Sequence, residues 1–146
     1  MDSMILLRLE HKRIASMAAD LAAMVNQRTP PEPLMFLAFR RNFSRILSVH
    51  LAREDWVIYP RLLADERPDV RALAARLAAE ALAFSEAFRD YGRRWTTNSI
   101  AADWPGFCKE TLAILARLQR RVHVEDTELY PLVDDADHDL HLRQAG

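Results

Sequence analysis

The sequence predicts an all-α protein, an antiparallel up-down-up-down four-helix bundle, on three observations. Alanine and leucine dominate while valine, isoleucine and threonine are sparse, a composition that suits packed helices rather than sheets. Prolines cut the chain into four segments, each with helical periodicity of its apolar residues. The second and fourth segments also carry the same motif. Glu54-Asp55-Trp56-Val57-Ile58-Tyr59-Pro60 and Glu125-Asp126-Thr127-Glu128-Leu129-Tyr130-Pro131 are offset by 71 residues, as in two related helical hairpins.

The first helix is expected near 3–27, ending before Pro30, Pro31 and Pro33. The second is expected near 34–63, closed by the break at Pro68. The third, near 69–95, takes Asp69 as its N-cap. The fourth, near 104–132, takes Asp103, and Pro105 suits its first turn. Short connections between helices of about 25 residues favour antiparallel neighbours. Residues 1–133 are read as the bundle and 134–146 as a polar tail, frayed beyond its helix-proximal end.

At 146 residues the chain is one domain long, and half of it is apolar, enough for a sizeable core. Lys and Arg total 20 against 21 Asp and Glu, which argues against general binding to nucleic acid or to an anionic membrane. No charge-free run approaches the roughly 18 residues of a membrane span. The start, Met1-Asp2-Ser3-Met4, has no basic region, so no secretory signal is expected and the protein is read as soluble and cytoplasmic. Glycine occurs only at 92, 106 and 146, which removes every glycine-loop nucleotide motif. The single cysteine, Cys108, removes an internal disulfide and a cysteine-rich zinc site.

Polar residues fall on faces that should be buried. At about 100° per residue, His50 sits at the centre of the second helix's stripe of Phe43, Ile46, Leu47, Val57 and Ile58, with Glu54 about 40° away. On the first helix His11 is central to the stripe of Met4, Leu7, Ile14, Ala18 and Leu21, while Glu10 points about 100° away, toward the edge. On the fourth helix, with Val122 as zero, Asp126 lies near +40° and Glu125 about −60°, so both flank the core. On the third, only Glu80 comes near the stripe. Buried carboxylates without a partner are costly, so a cation must compensate them. Imidazoles and carboxylates from facing helices suit non-haem iron, with manganese or zinc as alternatives. The competing reading is a satisfied polar cluster in a bundle core.

This pattern resembles the hemerythrin-like family, the HHE cation-binding domain. The residues that carry the resemblance are Glu10-His11, His50-x-x-x-Glu54-Asp55 with Ile58-Tyr59-Pro60, and Glu125-Asp126-x-x-Leu129-Tyr130-Pro131. It covers nearly the whole chain. The resemblance implies a bundle holding a non-haem di-iron centre through histidines from all four helices and bridging carboxylates. It also implies oxygen binding, response to oxygen, nitric oxide or iron status, or repair of iron–sulfur centres. Carried over, His11, His50 and Glu54 match ligands, and Asp126 matches the fourth helix's bridging carboxylate. Two positions depart: the third helix has no histidine, with Ala81 following Glu80, and Arg121 stands where the family has histidine. Arginine offers a metal no lone pair. His123 with Glu128 repeats the spacing of a ligand pair but falls on the opposite face. The candidate ligands are therefore His11, His50, Glu54 and Asp126, with Glu125, Glu80 and His123 as additions. They would hold one or two irons, or the site has lost its metal and Arg121 supplies the positive charge.

The expected role is binding rather than enzymatic turnover, since nothing builds a recognisable substrate pocket. A small diatomic ligand is the expected partner, alongside a homodimer or a regulatory protein partner; the alternative role is a metal-free regulatory or interaction module. Tyr59 and Tyr130 are expected to pack at helix ends rather than tune a metal. Trp56, Trp95 and Trp104 offer an interaction patch, with the burial of Trp56 left open. The tail, Asp137-His138-Asp139-Leu140-His141, is the weakest metal candidate, because ordering it is costly.

Overall fold

The computed structural model describes residues 3–145. Apart from short connections they are helical, with no strand among them: α1 (Ser3–Val25), α2 (Pro33–Val57), α3 (Tyr59–Leu63), α4 (Pro68–Arg94), α5 (Thr97–Ala102), α6 (Trp104–Val124), a π-helical turn (Glu125–Leu129) and α7 (Tyr130–Ala145). The all-helical bundle expected from composition is present, but the second and fourth expected segments are subdivided. None of these helices is long and apolar enough to cross a membrane.

The starts follow local chemistry. The Glu32 carboxylate accepts from the backbone N–H of Leu34 at 3.1 Å and of Met35 at 2.8 Å, opening α2. Asp103 caps α6 as expected, accepting from the Gly106 N–H at 3.0 Å. The expected cap of α4 is displaced: Arg67 is the N-cap residue, Pro68 takes the first turn, and Asp69 lies inside that turn, where its charge still favours the helix N-terminus. The chain between α4 and α6, expected as a loop, makes one further short helix, α5, opened by a reciprocal Thr96–Ser99 capping box.

Proline explains the subdivision. Pro60 has no N–H to donate, and α2 gives way at Ile58 to the short α3. Pro131 has the same effect one repeat later. There the Tyr130 N–H bonds the Glu125 carbonyl, five residues back, and the helix passes through one π turn. Residues 134–145, expected as a frayed tail, continue α7 as helix. Arg8 holds Asp134 at 2.5 Å, Arg61 pairs with Asp137, and Arg143 reaches Glu66 at 3.6 Å. The side chains of Asp139 and His141, part of the proposed tail site, lie outside the described residues, as do Met1, Asp2 and Gly146.

Two apolar clusters form the core. One gathers Ile14, Phe43, Leu47, Phe84, Phe107 and Leu118, with Phe107 wedged among the rings of Phe36, Tyr91, Trp95 and Trp104. The other gathers Leu7, Ile58, Leu62, Leu77, Ala81 and Leu129. The expected tryptophan patch does not form, because Trp104 is buried, Trp95 is half-buried and only Trp56, 84% exposed, faces solvent. Along each of three long helices the two clusters are separated by polar residues: His11 between Leu7 and Ile14, His50 and Glu54 between Leu47 and Ile58, Arg121 and Glu125 between Leu118 and Leu129. A polar layer thus lies between two apolar ones, where its buried charges are poorly screened and each buried polar atom must find a partner.

Candidate metal centre

His11, His50, Glu54 and Glu125 each bring one ligand atom to a common point, all within 4.8 Å of one another. All four residues are buried, and Glu54 is fully so. α1 supplies His11, one turn-pair of α2 supplies His50 and Glu54, and the start of the π turn supplies Glu125.

Each imidazole has a carboxylate behind it. His50 Nδ1 lies 3.0 Å from Glu10 Oε1, which in turn accepts from Arg53 Nε at 3.2 Å. His11 Nδ1 lies 2.7 Å from Asp126 Oδ1. A carboxylate at Nδ1 keeps the proton there, so both rings turn Nε2 inward as the lone-pair nitrogen, the usual arrangement behind metal-binding histidines. Losing such a carboxylate should weaken binding without abolishing it. Glu10→Ala is expected to lower metal affinity about 10- to 100-fold in a chelator competition, with the stoichiometry retained.

The inward atoms are incompletely satisfied. His50 Nε2 approaches Glu54 Oε1 to 3.1 Å, yet neither atom has a hydrogen-bond partner. The same holds for Glu125 Oε2, although Arg121 Nη2 lies 3.1 Å away. Lone pairs facing each other in a buried layer repel unless a cation lies between them. Two imidazole nitrogens and two carboxylates form a donor set suited to iron, manganese or zinc. The residues present therefore fit a metal ion.

Without a metal, protons supply part of the missing charge. Burial penalises the His11 cation, but hydrogen bonds to Glu125 and Asp126 and the nearby Glu54 outweigh it, so His11 titrates above its ordinary value. His50 moves the other way, because burial prevails over its bond to Glu10. Burial pushes the Glu125 carboxyl up to about 7, against the lowering effects of His11 and Arg121. The Tyr130 hydroxyl donates to Glu54 Oε2 at 3.0 Å and sits 2.9 Å from His11 Nε2, tying the two together.

The seven sequence candidates separate clearly. His11, His50, Glu54 and Glu125 come together. Asp126, expected as a ligand, instead stands behind His11 with its side chain 44% exposed. The fourth helix's core axis follows Leu118, whereas Val122, taken as its centre, is only half-buried. From Leu118, Glu125 lies about −20° and Asp126 about +80°. Glu80 and His123 are exposed and lie outside the cluster. Two contributors were missed. Glu10 was placed at the edge, but its side chain reaches back to His50. Tyr130 was expected to pack at a helix end; in an unbroken α-helix it would lie about 120° from Leu118, and the π turn brings it onto Glu125's face. The signal for Tyr130 was Pro131, which forbids the regular helix.

The repeat extends to the other side of the cluster. Arg121 occupies the position equivalent to His50, 71 residues on, and pairs with Glu125 as His50 pairs with Glu54. Its Nη2 also donates to the Tyr59 hydroxyl at 3.0 Å. On α4 the inward positions are Ala74, Leu77, Ala81 and Phe84, none of which can ligate a metal.

A family model, the hemerythrin HHE cation-binding domain, matches residues 4–133. No curated protein and no solved structure matches the chain.

Proposed function

The chain belongs to the hemerythrin HHE cation-binding domain family, and from that premise we propose that it holds a single non-haem iron and serves in sensing or handling oxygen, nitric oxide or iron. His11, His50, Glu54 and Glu125 are the ligands, with manganese or zinc as alternative ions. The observation that carries this reading is the set of buried, unpartnered atoms, His50 Nε2, Glu54 Oε1 and Glu125 Oε2, around one point. One metal is favoured over two because Arg121 fills the place where a second ion would need a ligand. Its guanidinium balances Glu125 on that side. The reading includes the up-down-up-down topology of the four long segments and a cytoplasmic setting.

A bound iron would supply reversible redox chemistry and an open coordination position. The chain's own residues do the rest. Glu10 and Asp126 orient the two imidazoles, Tyr130 fixes Glu54, and the two apolar clusters close the layer at either end along the helices. Loading requires the inward proton of His11 and that of Glu125 to leave, so affinity should fall as pH drops below about 7. Binding rather than turnover is proposed, with a small diatomic molecule as the ligand.

The second reading is a metal-free bundle acting as a regulatory or interaction module, alone or as a homodimer. The Arg121–Glu125 pair favours it, because it supplies charge balance without an ion. Elemental analysis after iron-supplemented growth decides between them. About one equivalent of metal per chain is expected for the first reading. Metal far below one equivalent, with no uptake on titration of ferrous iron into the purified protein, would establish the second.

A further inference from the structure

Beside the cluster, on its Arg121 side, lies a cavity of about 350 Å³ whose lining includes Arg117, Arg120, Arg121, Tyr59, Glu80 and Glu125. We infer that this cavity is a binding site for a small oxyanion, held by the guanidinium groups of Arg117, Arg120 and Arg121. The inference is argued from the cavity's own residues; that the anion would sit next to a metal rests on the reading above.

Three observations carry it. First, the lining has more cationic than anionic side chains, three guanidiniums against the carboxylates of Glu80 and Glu125. Like charges gathered on one stretch of α6 repel, and an anion relieves them. Second, the guanidiniums have capacity to spare. Arg121 Nε is buried with no hydrogen-bond partner, although Nη2 is engaged by Tyr59 and Glu125. Among the described residues Arg120 forms no ion pair, and Arg117 only stacks over the Phe84 ring, 6.0 Å from its centroid. An arginine resting on an aromatic face keeps its N–H fork free for a planar or tetrahedral oxyanion. Third, the volume is about ten times a water molecule's share of liquid, enough for a small anion and a few waters. Arg117 and Arg120 are exposed at the mouth, while Arg121 is nearly buried, so the charge leads inward from solvent.

The shared chemistry is that of phosphate and carboxylate groups, and the test separates them. Inorganic phosphate and, separately, acetate are titrated into the metal-free protein by calorimetry at low ionic strength. One binding event is expected, weakened about tenfold or more in the Arg117→Gln/Arg120→Gln double variant and partly restored by lysine at both positions. Both residues are exposed, so the variants should fold, which circular dichroism checks. Tighter phosphate binding assigns a phosphate-like ligand, and tighter acetate binding a carboxylate. No heat with either anion, or an affinity unchanged by the double glutamine variant, overturns the inference. Metal content is measured on the same preparations. Absence of metal in the wild type would overturn the iron reading while leaving the anion titration as it stands, so the two failures are distinguishable.

Discussion

His50→Ala should lower metal affinity by more than about a hundredfold and leave purified protein nearly metal-free, because a direct ligand outweighs the carboxylates behind it. His50 and Glu54 share one rigid turn-pair of α2, and no neighbouring side chain can take over the Nε2 position. The loss should also free Glu10 and Arg53 from their orienting role without disturbing their own contact. His123→Ala is the matched control, since His123 is exposed on the far side of its helix and should leave metal content unchanged. Thermal melts of the metal-free forms separate ligand loss from misfolding. If His50→Ala retains wild-type metal content in a folded protein, the proposed ligand set is wrong.

Arg121→Met should destabilise the metal-free protein by about 1 kcal/mol at pH 8, because a Glu125 carboxyl that titrates at about 7 can take up a proton there for about 1.4 kcal/mol rather than stay charged and unpaired. The deficit should shrink strongly by pH 5. Folding raises the Glu125 pKa from its ordinary 4.5 to about 7. A carboxyl raised in this way costs stability as pH climbs through that window, and costs nothing below it, where it is neutral in both states. Arg121 limits that cost by its charge beside Glu125. Without the guanidinium, the charged carboxylate is disfavoured further and the folded pKa rises above 7, so the variant's deficit grows above about pH 7 and vanishes below it. Urea unfolding of both proteins at pH 8 and pH 5 measures it. An equal deficit at the two pH values would assign Arg121 to packing and its bond to Tyr59 rather than to charge balance.

Much of the fold was legible in the chain. Alanine and leucine periodicity with proline punctuation identified the long helical stretches to within a few residues at most boundaries. Where it failed, the cause was a proline inside a stretch rather than between stretches. Pro60 and Pro131 were read as part of a motif, yet each removes a backbone donor and so divides its helix. The buried positions of His11, His50 and Glu54 followed from phase alone, because each sits in the middle of a long, regular apolar stripe. The repeat bears on the ligand set as well. Glu125 is the equivalent of Glu54, as Arg121 is of His50, so pairing the repeats favours Glu125 over Asp126 beside an arginine whose departure from histidine the sequence already shows.

The sequence by itself determined the all-helical class, the polar layer within the core and the family to which the chain belongs, since these depend on local periodicity and on motifs of a few residues. Only the tertiary structure decided which carboxylates face the centre and which stand behind the histidines. Helical phase gives a direction at Cα, but a glutamate has three further bonds with which to turn, and Glu10 uses them to reach His50 across the gap between two helices. The π turn adds a residue to the turn ahead of Pro131, and the added residue, invisible to a regular projection, sets Tyr130 against His11 and Glu54.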